Sequence, residues 1–155
     1  MRAAEVLQRY IDETLPEFVG LTLTDGRREK AERKGVGSLL LTPALFELGG
    51  CYNEGELVSV DKAKAAQLFK RAAELKRAAS QYTHAIDLLY GANGIQKDVL
   101  MGLKYLHESN EAKYRGTYDL LAYFYEKGEF GFPIDPQKAA SLRAEADGDD
   151  VLWKT

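Results

Sequence analysis

Residues 44–73 read ALFELGGCYNEGELVSVDKAKAAQLFKRAA, and this stretch decides the fold. In its first half Ala44, Leu48 and Tyr52 recur four residues apart, and in its second half Ala65, Leu68 and Ala72 keep the three-and-four spacing of one helix face. Gly55 follows the first run where a C-terminal glycine closes a helix. Asp61 precedes the second run as an N-cap, its short carboxylate able to accept from the free amides of the first turn. The stretch is therefore a helix, a loop and a helix. A pair this short cannot bury its apolar face alone and needs stacked neighbours.

The neighbours are present in the same chain. Asp61, Asp98 and Asp135 are spaced by 37 and 37 residues, and Pro136 after the last fits the first position of a helix. Other columns keep step with them. Three residues before each aspartate stands an apolar residue (Val58, Ile95, Phe132), placed to pin the inter-helix loop on the core. Four after it is a small residue (Ala65, Gly102, Ala139), seven after it Leu68, Tyr105 or Leu142, and eleven after it Ala72, Ser109 or Ala146. Upstream by 9, 8 and 10 residues are Tyr52, Tyr90 and Tyr125, each preceded at four residues by Leu48, Ile86 or Leu121 and at three by Gly49, Asp87 or Ala122. Gly55, Gly94 and Gly128 follow the tyrosines. First helices are expected near residues 43–53, 80–90 and 117–126, and second helices near 61–76, 98–109 and 135–146.

This pattern resembles the Sel1-like repeat, a relative of the tetratricopeptide repeat. Ala44, Leu48, Gly49, Tyr52, Gly55, Asp61, Lys64, Ala65, Lys70, Ala72 and Ala73 match the family string A-x3-LG-x2-Y-x2-G, D-x2-KA-x4-KAA. Repeat three keeps Leu121, Ala122, Tyr125, Gly128, Asp135, Lys138, Ala139 and Ala146, and repeat two is looser. Asp87 stands where the family prefers glycine, Met101 where it prefers lysine, and Arg143 in an apolar slot of the terminal repeat. The resemblance implies an all-α fold, an α-solenoid of about three helix-turn-helix repeats over residues 42–148, divided as 42–78, 79–115 and 116–148. Residues 1–41 are expected to form an N-terminal helical cap or degraded half-repeat, with an amphipathic helix over 3–15 ended by Pro16 and a short polar helix over 27–34. Residues 149–155 are expected to be a tail in which Trp153 folds over the last helix pair or contacts a partner.

Composition narrows function. The 155 residues carry a formal net charge of −3, with 45% hydrophobic and 29% charged side chains, as in an ordinary globular domain. That charge supplies no field for phosphates, so nucleic acid and anionic membranes are not expected partners. The basic run Arg27, Arg28, Lys30, Arg33, Lys34 is interleaved with Glu29 and Glu32, as on a solvated helix face. The single cysteine rules out an intrachain disulfide and suits a reducing compartment, and charges near the N-terminus break any apolar stretch long enough for a leader. The expected location is cytoplasmic.

Catalytic chemistry finds little support. Cys51, His84 and His107 lack the spacing of a metal site, and Cys51 and His84 belong to different repeats. Asp147, Asp149 and Asp150 lack the glutamate that closes a calcium loop, and no glycine-rich phosphate loop occurs. No cofactor or metal is expected. Some cysteine-rich relatives in the family have been credited with binding or hydrolysing β-lactams, but this chain lacks their paired cysteines. A hydrolase is the alternative; the primary expectation is a protein-interaction module, not an enzyme.

By analogy with tetratricopeptide-like solenoids, the first helices line the concave side. Positions two before and two after the Leu48, Ile86 and Leu121 column, and the residue past each tyrosine, then face inward. The expected partner-binding set is Phe46, Asn53, His84, Leu88, Asp119, Tyr123 and Glu126, apolar anchors among polar groups. The partner expected is another protein, such as a toxin, effector or assembly component. Small free-standing proteins of this kind often serve as inhibitors, immunity proteins or adaptors in bacterial secretion or toxin systems.

Overall fold

The structure is a computed structural model that describes residues 36–56 and 58–152, with side-chain surroundings given for 42–56 and 58–148. The expectations for residues 1–35 and for Trp153 lie outside the described residues. The helices are α1 (Val36–Glu54), α2 (Lys62–Glu74), α3 (Ala78–Tyr90), α4 (Val99–Glu111), α5 (Arg115–Lys127) and α6 (Pro136–Leu152), with a 3-10 turn at Glu129–Gly131. Among the described residues there is no strand. Each helix packs on the next along the chain, which is the arrangement of an α-solenoid.

The three aspartates build three identical joints. Oδ1 of Asp61, Asp98 and Asp135 accepts from the backbone N–H of Lys64, Met101 and Lys138, each at 3.0 Å. Their own N–H groups donate back into the preceding helix, to the carbonyls of Tyr52, Leu88 and Tyr125 at 2.9, 2.9 and 2.8 Å. One residue thus starts the second helix and fastens it to the first. The glycines that close α1, α3 and α5 are Gly55, Gly91 and Gly128, with φ of 74, 65 and 67°. Glycine reaches this left-handed region without the penalty a side chain incurs.

These bonds correct one column of the sequence reading. The residue equivalent to Tyr52 and Tyr125 is Leu88, not Tyr90, and the closing glycine of repeat two is Gly91, not Gly94. The choice of Tyr90 matched residue type and displaced the register by two positions. In the bonded register Gly49, Ala85 and Ala122 form the small column, all three buried, so Asp87 does not occupy it. His84 falls in the column of Leu48 and Leu121, and Ser80 in that of Ala44 and Thr117.

Two boundaries also differ. Helix α1 begins at Val36 and contains Pro43, so the first helix starts inside the segment expected to be a cap. Helix α6 runs on to Leu152 through the acidic residues that had been assigned to a tail.

Small residues set the close approaches. Ala72, Ser109 and Ala146 are at most 1% exposed, and a Cβ on Gly102 would lie 2.8 Å from the Leu89 side chain. One cluster joins repeats two and three through Ala85, Leu89, Leu106 and Phe124. Phe130 and Phe132 cover it, their rings 5.1 and 5.6 Å from that of Phe124, so Phe132 does pin its loop to the core.

Replacing Asp98 with alanine removes a cap and keeps the backbone tie. The expected result is a helical protein destabilised by about 1 kcal/mol, measurable as a lower urea midpoint with unchanged far-ultraviolet dichroism.

Candidate functional site

Two surfaces are distinguished by the side of the first helices they use. On the exposed side, positions at helical spacing form rows across the repeats: Glu47, Thr83 and Leu120; Gly50, Ile86 and Tyr123; Glu54, Tyr90 and Lys127. All nine are at least partly exposed. Tyr90 and Tyr123 stand out, at 48% and 38% exposure. Tyr90 Oη donates to Glu129 Oε2 at 3.1 Å, Tyr123 Oη lies 3.5 Å from Glu129 Oε1, and the Tyr90 ring meets Phe130 edge-on at 5.3 Å. Burial, followed by the hydrogen bond and charge of Glu129, pushes the Tyr90 phenol up to about 12, so it remains a donor. Phe130 holds φ of 53°, a left-handed conformation uncommon for an aromatic residue, and this turn sets Glu129 between the two tyrosines.

The seven residues expected to share one surface do not. Asp119 and Tyr123 are exposed. Phe46 is half-buried, its ring 5.7 Å from that of Phe69 and 4.4 Å from the Arg77 guanidinium. Asn53 accepts from Lys62 Nζ through Oδ1 and its carbonyl, at 3.1 and 2.8 Å, tying the end of α1 to the start of α2. Glu126 pairs with Arg143 at 3.0 Å.

His84 and Leu88 are 3% and 7% exposed and face the second helices, so their placement beside Tyr123 is corrected. The cause is the same two-residue displacement. In the bonded register Tyr82 and Ile86 take the places given to them. The sequence reading missed Tyr90 as a surface residue because it had been spent on a core column. Gly91, seven residues before Asp98 as Gly128 is before Asp135, was the signal that would have placed it.

His84 and Leu88 instead line a cavity of about 540 Å³ between α2, α3 and α4. The His84 ring stands edge-on to that of Tyr105 at 5.0 Å. Burial, with Lys70 nearby, lowers its pKa to about 4, so the imidazole is neutral at physiological pH. Asp87, 4% exposed, accepts from Asn93 Nδ2 at 2.9 Å and so holds the loop at the cavity rim; burial raises its carboxyl against that bond.

Cys51 offers no activated nucleophile. Burial first, then Glu56 and Glu47, pushes its thiol up, the opposite of what thiolate chemistry uses. Among the described residues no three His, Cys, Asp or Glu side chains gather as a metal site, and no helix is long and apolar enough to cross a membrane.

The Sel1 repeat model matches residues 42–76, 78–114 and 118–142. The chain belongs to the Sel1 repeat family. Among solved structures, the Sel1 repeat protein from Oxalobacter formigenes is similar at TM-score 0.60 and 22% identity, over 69% of this chain and 43% of that one. The protein c5321, described as a protective antigen present in uropathogenic Escherichia coli strains and displaying an SLR fold, is similar at TM-score 0.59 and 24% identity, over 94% of this chain and 30% of that one. At these identities the likeness is one of fold, and this chain spans less than half the length of either. No curated protein matches it. Sel1 repeat proteins generally mediate protein–protein interaction, and the repeat fold is typically a non-enzymatic scaffold.

His84 makes stability depend on pH. Its pKa is about 4 folded, against about 6.5 for an unperturbed imidazole. Between these values the unfolded chain takes up a proton that the folded chain refuses, so the His84 contribution is complete above about pH 6.5 and is lost as pH falls toward 4. Melting curves across that window should show a steeper fall for the native chain than for His84→Leu, and parallel curves would refute the assignment. Asp87 and the other carboxylates titrate in both proteins and cancel in the comparison.

Proposed function

We propose that the chain is a protein-binding module whose contact surface is the exposed side of the first helices, centred on Tyr90 and Tyr123. The observation that carries this reading is the pair of exposed tyrosines braced by Glu129 and Phe130. An exposed aromatic ring already held in one orientation loses little entropy on binding, and tyrosine is enriched among residues that dominate interface energies. Ile86 and Leu120 supply apolar area between them, while Asp119 and Lys127 supply charge at the edge, the usual distribution of an apolar centre and polar rim. Within the repeat family, a chain carrying this surface and little else in its described part fits an inhibitor or immunity protein that covers a toxin or effector, or an adaptor that holds an assembly component.

The test is capture of a partner from the native lysate, followed by affinity measurement with variants. Tyr90→Ala with Tyr123→Ala should weaken binding at least about thirtyfold, as expected on removing two anchors worth more than about 1 kcal/mol each. Glu129→Gln, which keeps hydrogen bonding and removes charge, should weaken it far less. Full binding by the double variant would place the interface elsewhere.

A further inference from the structure

Repeat two differs from its neighbours at four positions that converge on one place. Where repeats one and three have Leu48 and Leu121, it has His84; where they have Tyr52 and Tyr125, it has Leu88. Where they have Lys64 and Lys138 it has Met101, and where they have Leu68 and Leu142 it has Tyr105. All four line the cavity between α2, α3 and α4. In repeat one the corresponding Lys64 ammonium sits 4.5 Å over the Tyr52 ring and covers that position. Met101 and Leu88 make no such lid, and an apolar wall takes its place.

The polar groups at this cavity are not equally engaged. Glu74 pairs with Arg71 at 3.1 Å, and Asp98 caps α4, so both acids are committed to the scaffold. Lys70 and Lys97 have no carboxylate partner among the described residues. His84 is 3% exposed, and its Nδ1 has no hydrogen-bond partner. A buried polar nitrogen left unpaired has its desolvation uncompensated, which native cores avoid unless the group serves something. Carried as Nδ1–H, it joins the two ammoniums as a third donor. A cavity of about 540 Å³ lies within the range of small-ligand sites.

We propose that this cavity binds an apolar carboxylate, its hydrocarbon part against Leu88, Met101 and Tyr105 and its anionic end held by Lys70, Lys97 and His84. This goes beyond the tyrosine surface, since neither Tyr90 nor Tyr123 lines the cavity. The same chemistry is supplied by a small branched-chain acid or by the apolar C-terminal residue of a polypeptide. Three donors against one anion, on an apolar floor, select for the free acid and against its amide.

The experiment titrates four probes into the full chain, followed by 1H–15N NMR: N-acetylleucine, N-acetylleucinamide, and a pentapeptide ending in leucine with a free or an amidated terminus. The free acids should shift the amide resonances of Lys70, His84, Met101 and Tyr105. They should bind about tenfold or more tightly than the amides, the effect of one charge-assisted hydrogen bond. A peptide acid tighter than N-acetylleucine assigns the ligand as a polypeptide end, and equal affinity assigns it as a small acid. Lys70→Gln and His84→Leu should each weaken acid binding by a similar factor. Should His84→Leu lose its helical dichroism, Lys70→Gln decides the matter. Absence of acid binding at millimolar concentration, equal binding of acid and amide, or shifts confined to Tyr90 and Tyr123 would overturn the proposal.

Discussion

Each repeat depends on one aspartate acting twice. Its carboxylate satisfies an amide of the second helix's first turn, and its own amide is spent on a carbonyl near the end of the first. A capping bond alone would start a helix without aiming it, and a backbone bond alone would tether a loop without starting anything. Together they fix where the second helix begins and where it lies against the first. The small columns at Gly49, Ala85 and Ala122 and at Ala72, Ser109 and Ala146 then allow the helices to close. Burial along those columns stabilises the stack, but the aspartates decide its register.

That division explains what could be read from the chain. The spacing of Asp61, Asp98 and Asp135 was legible because capping demands a short acceptor at one position, leaving little freedom of residue type. The tyrosine column was legible only in repeats one and three. In repeat two Leu88 holds the place, and Tyr90 two residues later supplied a plausible substitute. The loop of repeat one is one residue shorter, but Leu88 and Tyr125 both stand ten residues before their aspartates, a match that the tyrosine at 90 overrode. The carbonyl of Leu88, which accepts from Asp98, fixes the register.

The consequence reached the candidate site. Asp119 and Tyr123 are exposed, and repeat three follows the pattern closely. His84 and Leu88 were misplaced because repeat two departs from it, and its departures are correlated. One substitution in a repeat column is drift in a tolerant position; four that meet around a single space alter what that space can hold. Sequence shows the substitutions one at a time, and only packing shows that His84, Leu88, Met101 and Tyr105 are neighbours. The bracing of Tyr90 by Glu129 was illegible for a similar reason, since it depends on the left-handed turn at Phe130.

The turns between repeats carry a further implication. Lys76 and Lys113 both adopt left-handed φ, at 68 and 58°, and Arg77 and Tyr114 both donate to a carbonyl five residues back, Ala72 and Ser109, at 3.1 Å. The two joints are therefore superposable, and the segment from 77 to 113 begins and ends in the same geometry. Such a segment behaves as a cassette: its duplication or excision leaves a native joint behind, with matching small residues on either side. Length in this architecture is thus a heritable variable separable from fold, and a lineage can lengthen or shorten its binding face by whole units.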